Sequence, residues 1–401
     1  MKAAIITWVT YNNYGTALQA FALKKAVEQY SESCSVISDR PIIESKKEKN
    51  GAAIQKNKES EQKETHETGI KHVLGLYHRY ILHPGAICSR LAAKHNNRLA
   101  GKRRTAYMSS IKAIEKFKTD ALKVYPIETA DQYASLNKQF DVFICGSDQI
   151  WSMLPINYNP YFYMDFVEKK KIAYAPSTGS YHIEEKDKAL LCELLRDFSA
   201  VSLREKVCVE QFENLLGRKV HWVLDPTLLH NGDFWNIIAK KPAIKKKYLL
   251  CYFLENKDWY FSYAHSLAKH LGLKVVLIPS RKQYADRKET YCEKVGPEEF
   301  VGLFSNASFV LTDSYHGTIF SLQFNKQFLY LKRFSDSEAF NQNVRVDSLL
   351  SALDLYDKVV VDNKEFAAED LYTIHYGTVD AVLNEMRDES LNYLKNALEI
   401  K

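Results

Sequence analysis

The stretch Ser308-Phe309-Val310-Leu311-Thr312-Asp313-Ser314-Tyr315-His316-Gly317-Thr318 joins an apolar run to a polar turn, and a helical run follows it from about Ile319 to Phe324. The apolar run reads as a buried strand. A strand that feeds a helix through a polar turn is the repeating unit of a parallel α/β sheet. Such a turn is also built to hold an anion. The helix begins with free backbone N–H groups and the positive end of its dipole, Ser314, His316 and Thr318 add donors, and Gly317 allows close backbone approach.

The same alternation extends outward in both directions. Strand-like runs occur at Ala3–Val9, Ser35–Ser38, Val142–Cys145, Ile172–Ala175, Ala200–Leu203 and Val220–Leu224. A second series follows Asp225-Pro226, with strands at Tyr248–Phe253, Lys274–Ile278, Phe309–Leu311 and Phe328–Leu331, separated by helices at Trp259–His270, Glu298–Ser305 and His316–Phe324. Pro226, Pro242 and a lysine cluster interrupt the pattern between Leu224 and Lys246, which places the hinge there. The expected organisation is an N-terminal Rossmann-like domain over 1–225, a second over 226–375, and a terminal helix over 376–401. Leu383, Met386, Leu391, Leu394 and Leu398 share one face of that helix, which is expected to pack back across the domains.

Composition agrees with two cores: the chain has 401 residues, 46% of them hydrophobic. Seven cysteines stand singly, without metal-ligand spacing, and read as reduced thiols of a cytoplasmic protein. The apolar run after Met1-Lys2 is too short for a signal-peptide core. Basicity is local. Residues 70–118 carry eleven basic side chains against Glu115, a net +10, so with a formal total of +6 the remainder is at −4. This segment, within a basic helical insertion over 70–120, reads either as a solvated helical pair or as a peripheral contact with an anionic membrane. No nucleic-acid recognition motif accompanies the charge. Residues 44–69 are almost devoid of large apolar side chains and read as a mobile insertion.

Four polar constellations sit at strand ends, where open parallel sheets bind ligands. The first contains Asn13, Thr16 and Gln19, whose amide and hydroxyl groups suit sugar hydroxyls, with Gly15 giving the chain room to turn; it reads equally as a capped strand-to-helix turn. The second is Gly146-Ser147-Asp148-Gln149-Ile150-Trp151. Its carboxylate suits a general base and its indole a sugar face, or else Asp148 caps a turn and Trp151 fills the core. The third carries Arg204, which binds a carboxylate or phosphate unless Glu205 or Asp225 pairs with it. The fourth is the opening turn, together with Arg345.

In their order along the chain, Asn13/Gly15/Gln19, the GSDQIW segment, Tyr174-Ala175-Pro176-Ser177, Ser202–Glu205, Asp225-Pro226-Thr227, Tyr315-His316-Gly317 and Arg345 resemble the polysaccharide pyruvyl transferase family. The resemblance implies two Rossmann-like domains in a GT-B-like fold. It also implies transfer of a pyruvyl group from phosphoenolpyruvate, as a ketal, onto two hydroxyls of a saccharide or lipid-linked saccharide acceptor. On that basis His316 is the expected general acid or phosphate ligand, and Asp148, or alternatively Asp313, the base. Arg204, Ser314, His316, Gly317, Thr318 and Arg345 are expected on the donor side. Asn13, Gly15, Gln19, Ser147, Asp148 and Trp151 are expected on the acceptor side. No cofactor or metal is called for beyond phosphoenolpyruvate as co-substrate. One departure stands out: many family members have arginine two residues before the histidine, where this chain has Ser314, and Lys332 and Arg333 are candidates to replace it. The alternatives are a nucleotide-sugar glycosyltransferase of the same fold, or an inactive saccharide-binding protein at the membrane surface.

Overall fold

The computed structural model describes residues 1–44, 84–153, 158–282, 284, 290–291, 294–335, 338, 341–361, 364–368 and 371–399, and the side chains of all of these except 84–100 and 290–291. The expectation for most of the 44–69 insertion, and that for 70–83, lie outside these residues.

The first unit is built on β1 (Lys2–Ile6), α1 (Tyr14–Val27), β2 (Ser33–Val36), α2 (Pro84–Phe117), β3 (Val142–Cys145), β4 (Lys170–Ala173), α3 (Glu185–Leu195) and β5 (Phe198–Ala200). Its five strands are parallel in the order β2-β1-β3-β4-β5. The strand β6 (Ser202–Leu203), helix α4 (Lys206–Leu216) and strand β7 (His221–Trp222) form a small parallel pair beside it. The expected strand Ala200–Leu203 is thus divided at Val201 between two sheets.

Past the short helix α5 (Gly232–Ile238), the second unit comprises β8 (Tyr248–Tyr252), α6 (Asp258–Leu271), β9 (Lys274–Leu277), β10 (Thr290–Tyr291), α7 (Pro297–Asn306), β11 (Phe309–Thr312), α8 (Tyr315–Gln323), β12 (Phe328–Leu331), α9 (Val344–Ala352) and β13 (Val359–Val360). Its six strands are parallel in the order β10-β9-β8-β11-β12-β13. Two Rossmann-like units in one chain make this a GT-B-like α/β fold. The apolar runs follow from the topology: β3 and β8 are buried along their whole length, because helices cover both faces of a parallel sheet.

Two helices tie the units together. The terminal helix α10 (Tyr376–Leu398) returns to the first unit, where Ser390 Oγ accepts from Leu224 N at 2.9 Å and Tyr393 Oη donates to Ala173 O at 2.7 Å. The basic segment from Pro84 to Phe117 is one continuous helix. In its described half, Ala106, Ser110, Ile114 and Phe117 recur as a buried stripe, and Ser110 Oγ accepts from Val295 N of the second unit at 3.1 Å.

In each sheet the strand order reverses once, between β1 and β3 and between β8 and β11, and crevices open at such switch points. The loops leaving these four strands face one another.

Candidate active site

A cleft of about 310 Å³ lies between the units, lined by Trp8, Tyr11, Asn13 and Thr16 after β1 and by Asp148 and Gln149 after β3. Leu254 after β8, Ser314 to His316 after β11, Arg333 after β12 and Arg345 of α9 complete it. The five strands β1, β3, β8, β11 and β12 each present their carboxyl end here, as the parallel order requires.

The acceptor-side residues separate into those that face the cleft and those that shape it. Asn13 caps α1, its Oδ1 accepting from Gly15 N at 2.8 Å and Thr16 N at 3.3 Å. Asp148 accepts from Thr16 Oγ1 at 2.8 Å and from its neighbour Gln149 N at 2.9 Å. Its φ of +77° lies in the left-handed region, which a non-glycine residue occupies only when its surroundings hold it there. Gln19 and Ser147 are fully buried. Gln19 donates to Thr7 Oγ1 and Thr16 O and accepts from Ser147 N, while Ser147 Oγ donates to Ala175 O. They brace the two loops and do not reach the cleft. Trp151 corrects the expectation of a sugar platform. It is fully buried, stacked on Tyr163 and Phe212, with its indole N–H given to Phe162 O.

The turn at His316 also differs from the expected anion cradle. Ser314 caps α8, its Oγ accepting from Gly317 N, and Thr318 Oγ1 donates back to Ser314 O at 3.2 Å instead of pointing outward. A Cβ on Gly317 would fall 2.2 Å from Thr312 Oγ1, so this glycine seats α8 on β11 and opens no ligand path. His316 is only 7% exposed. Its ring lies on Gly15 of the opposite unit, and its Nε2 stands 3.7 Å from Asp225 Oδ2 without a hydrogen bond. Burial lowers the imidazole below its ordinary 6.5, against the opposing pull of Asp225 and Asp148.

Arg204 is the second correction. It is 3% exposed and gives Nη1 to Asp225 Oδ2 at 2.6 Å, with Glu205 at 3.8 Å and Asp148 at 4.0 Å. Burial alone would lower its pKa, but these carboxylates and Tyr315 raise it. Three acidic neighbours hold this guanidinium behind the cleft wall, where it stacks on Tyr315 at 4.9 Å. Burial would raise the Asp225 carboxyl. His316, Arg204 and two hydrogen bonds from Thr227 nevertheless hold it below the usual range.

Arg345 and Arg333 supply the cationic wall instead. Neither forms a salt bridge among the described residues, and the Nε of each is buried without a partner. Burial, with Arg204 and Arg333 nearby, lowers Arg345 to about 10. The turn itself thus lacks a guanidinium, as its sequence indicates, and the loop after the next strand brings one to the same space. Tyr11 opens the first constellation, and Trp8 joins the cleft beside it without a signal of its own, because an aromatic residue in a strand run reads equally well as core. Asp313 faces away, accepting from Leu254 N at 2.6 Å and Glu255 N at 2.9 Å. Burial raises its pKa to about 6.

The family model for polysaccharide pyruvyl transferase matches residues 13–333. No curated protein matches the chain. Similar solved structures include a Staphylococcus aureus MnaA co-structure with UDP, at 13% identity over 99% of this chain and 91% of that one, with a TM-score of 0.44. A Methanocaldococcus jannaschii UDP-GlcNAc 2-epimerase in complex with UDP-GlcNAc and UDP is 12% identical over 96% and 94%, TM-score 0.43. The Escherichia coli heptosyltransferase WaaC with ADP is 10% identical over 96% and 100%, TM-score 0.37.

Proposed function

The chain belongs to the polysaccharide pyruvyl transferase family, and from that premise we propose that it moves the pyruvyl group of phosphoenolpyruvate onto two hydroxyls of one sugar as a ketal. The carrying observation is the pair Arg333 and Arg345, two guanidinium groups in one cleft with no carboxylate partner among the described residues. A part-buried cation that no carboxylate pairs directly is costly, and an anionic ligand relieves that cost. Phosphoenolpyruvate brings a phosphate and a carboxylate, one for each guanidinium.

The transfer needs one proton in and two protons out. A proton delivered to the methylene carbon makes the adjacent carbon electrophilic. The first hydroxyl adds there and loses its proton, the bond to the phosphate oxygen breaks, and the second hydroxyl closes the ketal as it loses its own proton. One of the released protons leaves with the phosphate. His316 is the proton donor in this scheme. It is neutral at rest because it is buried, and the arriving anion together with Asp225 favours its charged form. Asp148, fixed by Thr16 and Gln149, accepts from the sugar hydroxyl.

Thermal shift with phosphoenolpyruvate and with UDP-sugars tests the donor. Phosphoenolpyruvate is expected to stabilise the protein. Stabilisation by nucleotide sugars alone would overturn the reading in favour of a glycosyltransferase. With an acceptor present, His316→Gln is expected to stop phosphate release while retaining the donor-induced shift.

A further inference from the structure

We propose that the first unit holds a second saccharide subsite, a cavity of about 340 Å³ that receives the sugar residue adjoining the one being pyruvylated. The inference rests on the pyruvyl transferase reading and specifies its acceptor as at least a disaccharide.

The cavity and the catalytic cleft share a wall. Gln149 lines the cleft, and its Nε2 lies against Gly179 of the cavity, where a Cβ would fall 2.3 Å from that nitrogen. Gln149 Nε2 is buried and makes no hydrogen bond among the described residues, and the same is true of Ser152 Oγ in the cavity lining. Two buried polar groups left unpaired, Gln149 Nε2 against Gly179 and Ser152 Oγ in the lining, signal a polar occupant, because each forfeits its hydration without return.

The lining identifies the class of that occupant. The lining carries Glu184 and Asp187 to the single Lys186, so the cavity offers no cationic surplus to an anion, in contrast to the arginine-lined cleft. Ile183 and Leu191 add apolar surface beside the hydroxyl and amide groups. An uncharged pyranose fits this mixture, since its C–H face packs on apolar side chains while its hydroxyls pair with amides and carboxylates. Asn341 reaches the rim from the second unit, so the cavity, like the cleft, draws on both units.

Saturation-transfer NMR with methyl glycosides of common hexoses and of their disaccharides, in the presence of phosphoenolpyruvate, decides the matter. Some disaccharide is expected to bind at least about tenfold more tightly than either component glycoside, with both rings in contact. Ile183→Trp, at the half-buried rim, is expected to erase that gain and the second-ring contacts while leaving monosaccharide affinity and the phosphoenolpyruvate thermal shift unchanged. Asp187→Ala is expected to reduce the gain without burying new bulk. Disaccharides binding no better than monosaccharides, equal losses for both in Ile183→Trp, or no saccharide binding at all would overturn the subsite. Failure of the donor reading is separately visible as absence of the phosphoenolpyruvate shift in the unsubstituted protein.

Discussion

Gly15 and His316 meet across the boundary between the two units, so closely that a Cβ at position 15 would lie 2.1 Å from His316 Nδ1. The space that seats the imidazole exists only because residue 15 has no side chain. Gly15→Ala is therefore expected to displace the ring and lower phosphate release roughly 100-fold, as misplacement of a reacting group by about 1 Å does. The phosphoenolpyruvate thermal shift should persist, because Arg333 and Arg345 are untouched. Parallel rate and melting measurements on the variant check both halves.

Removing Arg345 is expected to weaken the donor while sparing the fold. Arg345→Gln eliminates a half-buried cation whose neighbours Arg204 and Arg333 repel it, so the melting temperature without ligand should stay level or rise. The apparent affinity for phosphoenolpyruvate should fall by about 10- to 100-fold, the worth of a charge-assisted hydrogen bond. Isothermal titration and a ligand-free melt measure the two effects, and Arg333→Gln should behave alike in binding.

Arg204→Met is expected to act through stability. It leaves Asp225 and Glu205, both fully buried, without their cation, a loss of about 3–5 kcal/mol. Urea unfolding should show a lower midpoint at an unchanged slope. A variant that melts normally and fails only in donor binding would restore Arg204 to the donor site.

Among the groups that shape the pH dependence of stability, His316 and Asp313 act in opposite directions. Burial lowers His316 below 6.5, so the unfolded chain takes up a proton that the folded one refuses, and stability falls as pH drops below that value. Burial raises Asp313 from 3.8 to about 6, so its stabilising share is present at low pH and lost as pH rises through that interval. Asp313→Asn should remove this second contribution. The stability of the unsubstituted protein relative to the variant is expected to fall by about 3 kcal/mol between roughly pH 4 and 7, the worth of two pKa units. Denaturant titrations at spaced pH values provide the check.

Much of the architecture was legible because a strand covered on both faces must be apolar throughout. Val142–Cys145 and Phe328–Leu331 coincide with the observed strands, and Trp259–His270 falls one residue inside each end of its helix. The two-residue strands Thr290–Tyr291 and Val359–Val360 were too short to carry a pattern. In the site, His316, Asp148 and Asn13 were accessible because strand ends in a parallel sheet share one edge, whereas Arg345 sits in the first turn of α9. Trp151 and Arg204 stand at equivalent strand ends, yet they turn into the aromatic core and onto a buried carboxylate.

The sequence by itself determined two parallel α/β units, the strand ends that carry polar side chains, and a His316 turn without a guanidinium. Only the tertiary structure decided which cation serves the cleft. Arg204 and Arg333 are chemically alike, but Arg204 lies within reach of Asp225, Glu205 and Asp148, whereas Arg333 faces the cleft with Arg345 and forms no salt bridge among the described residues. Pairing of a guanidinium depends on distances set by the packing together of segments far apart in the chain, and no local pattern encodes those distances.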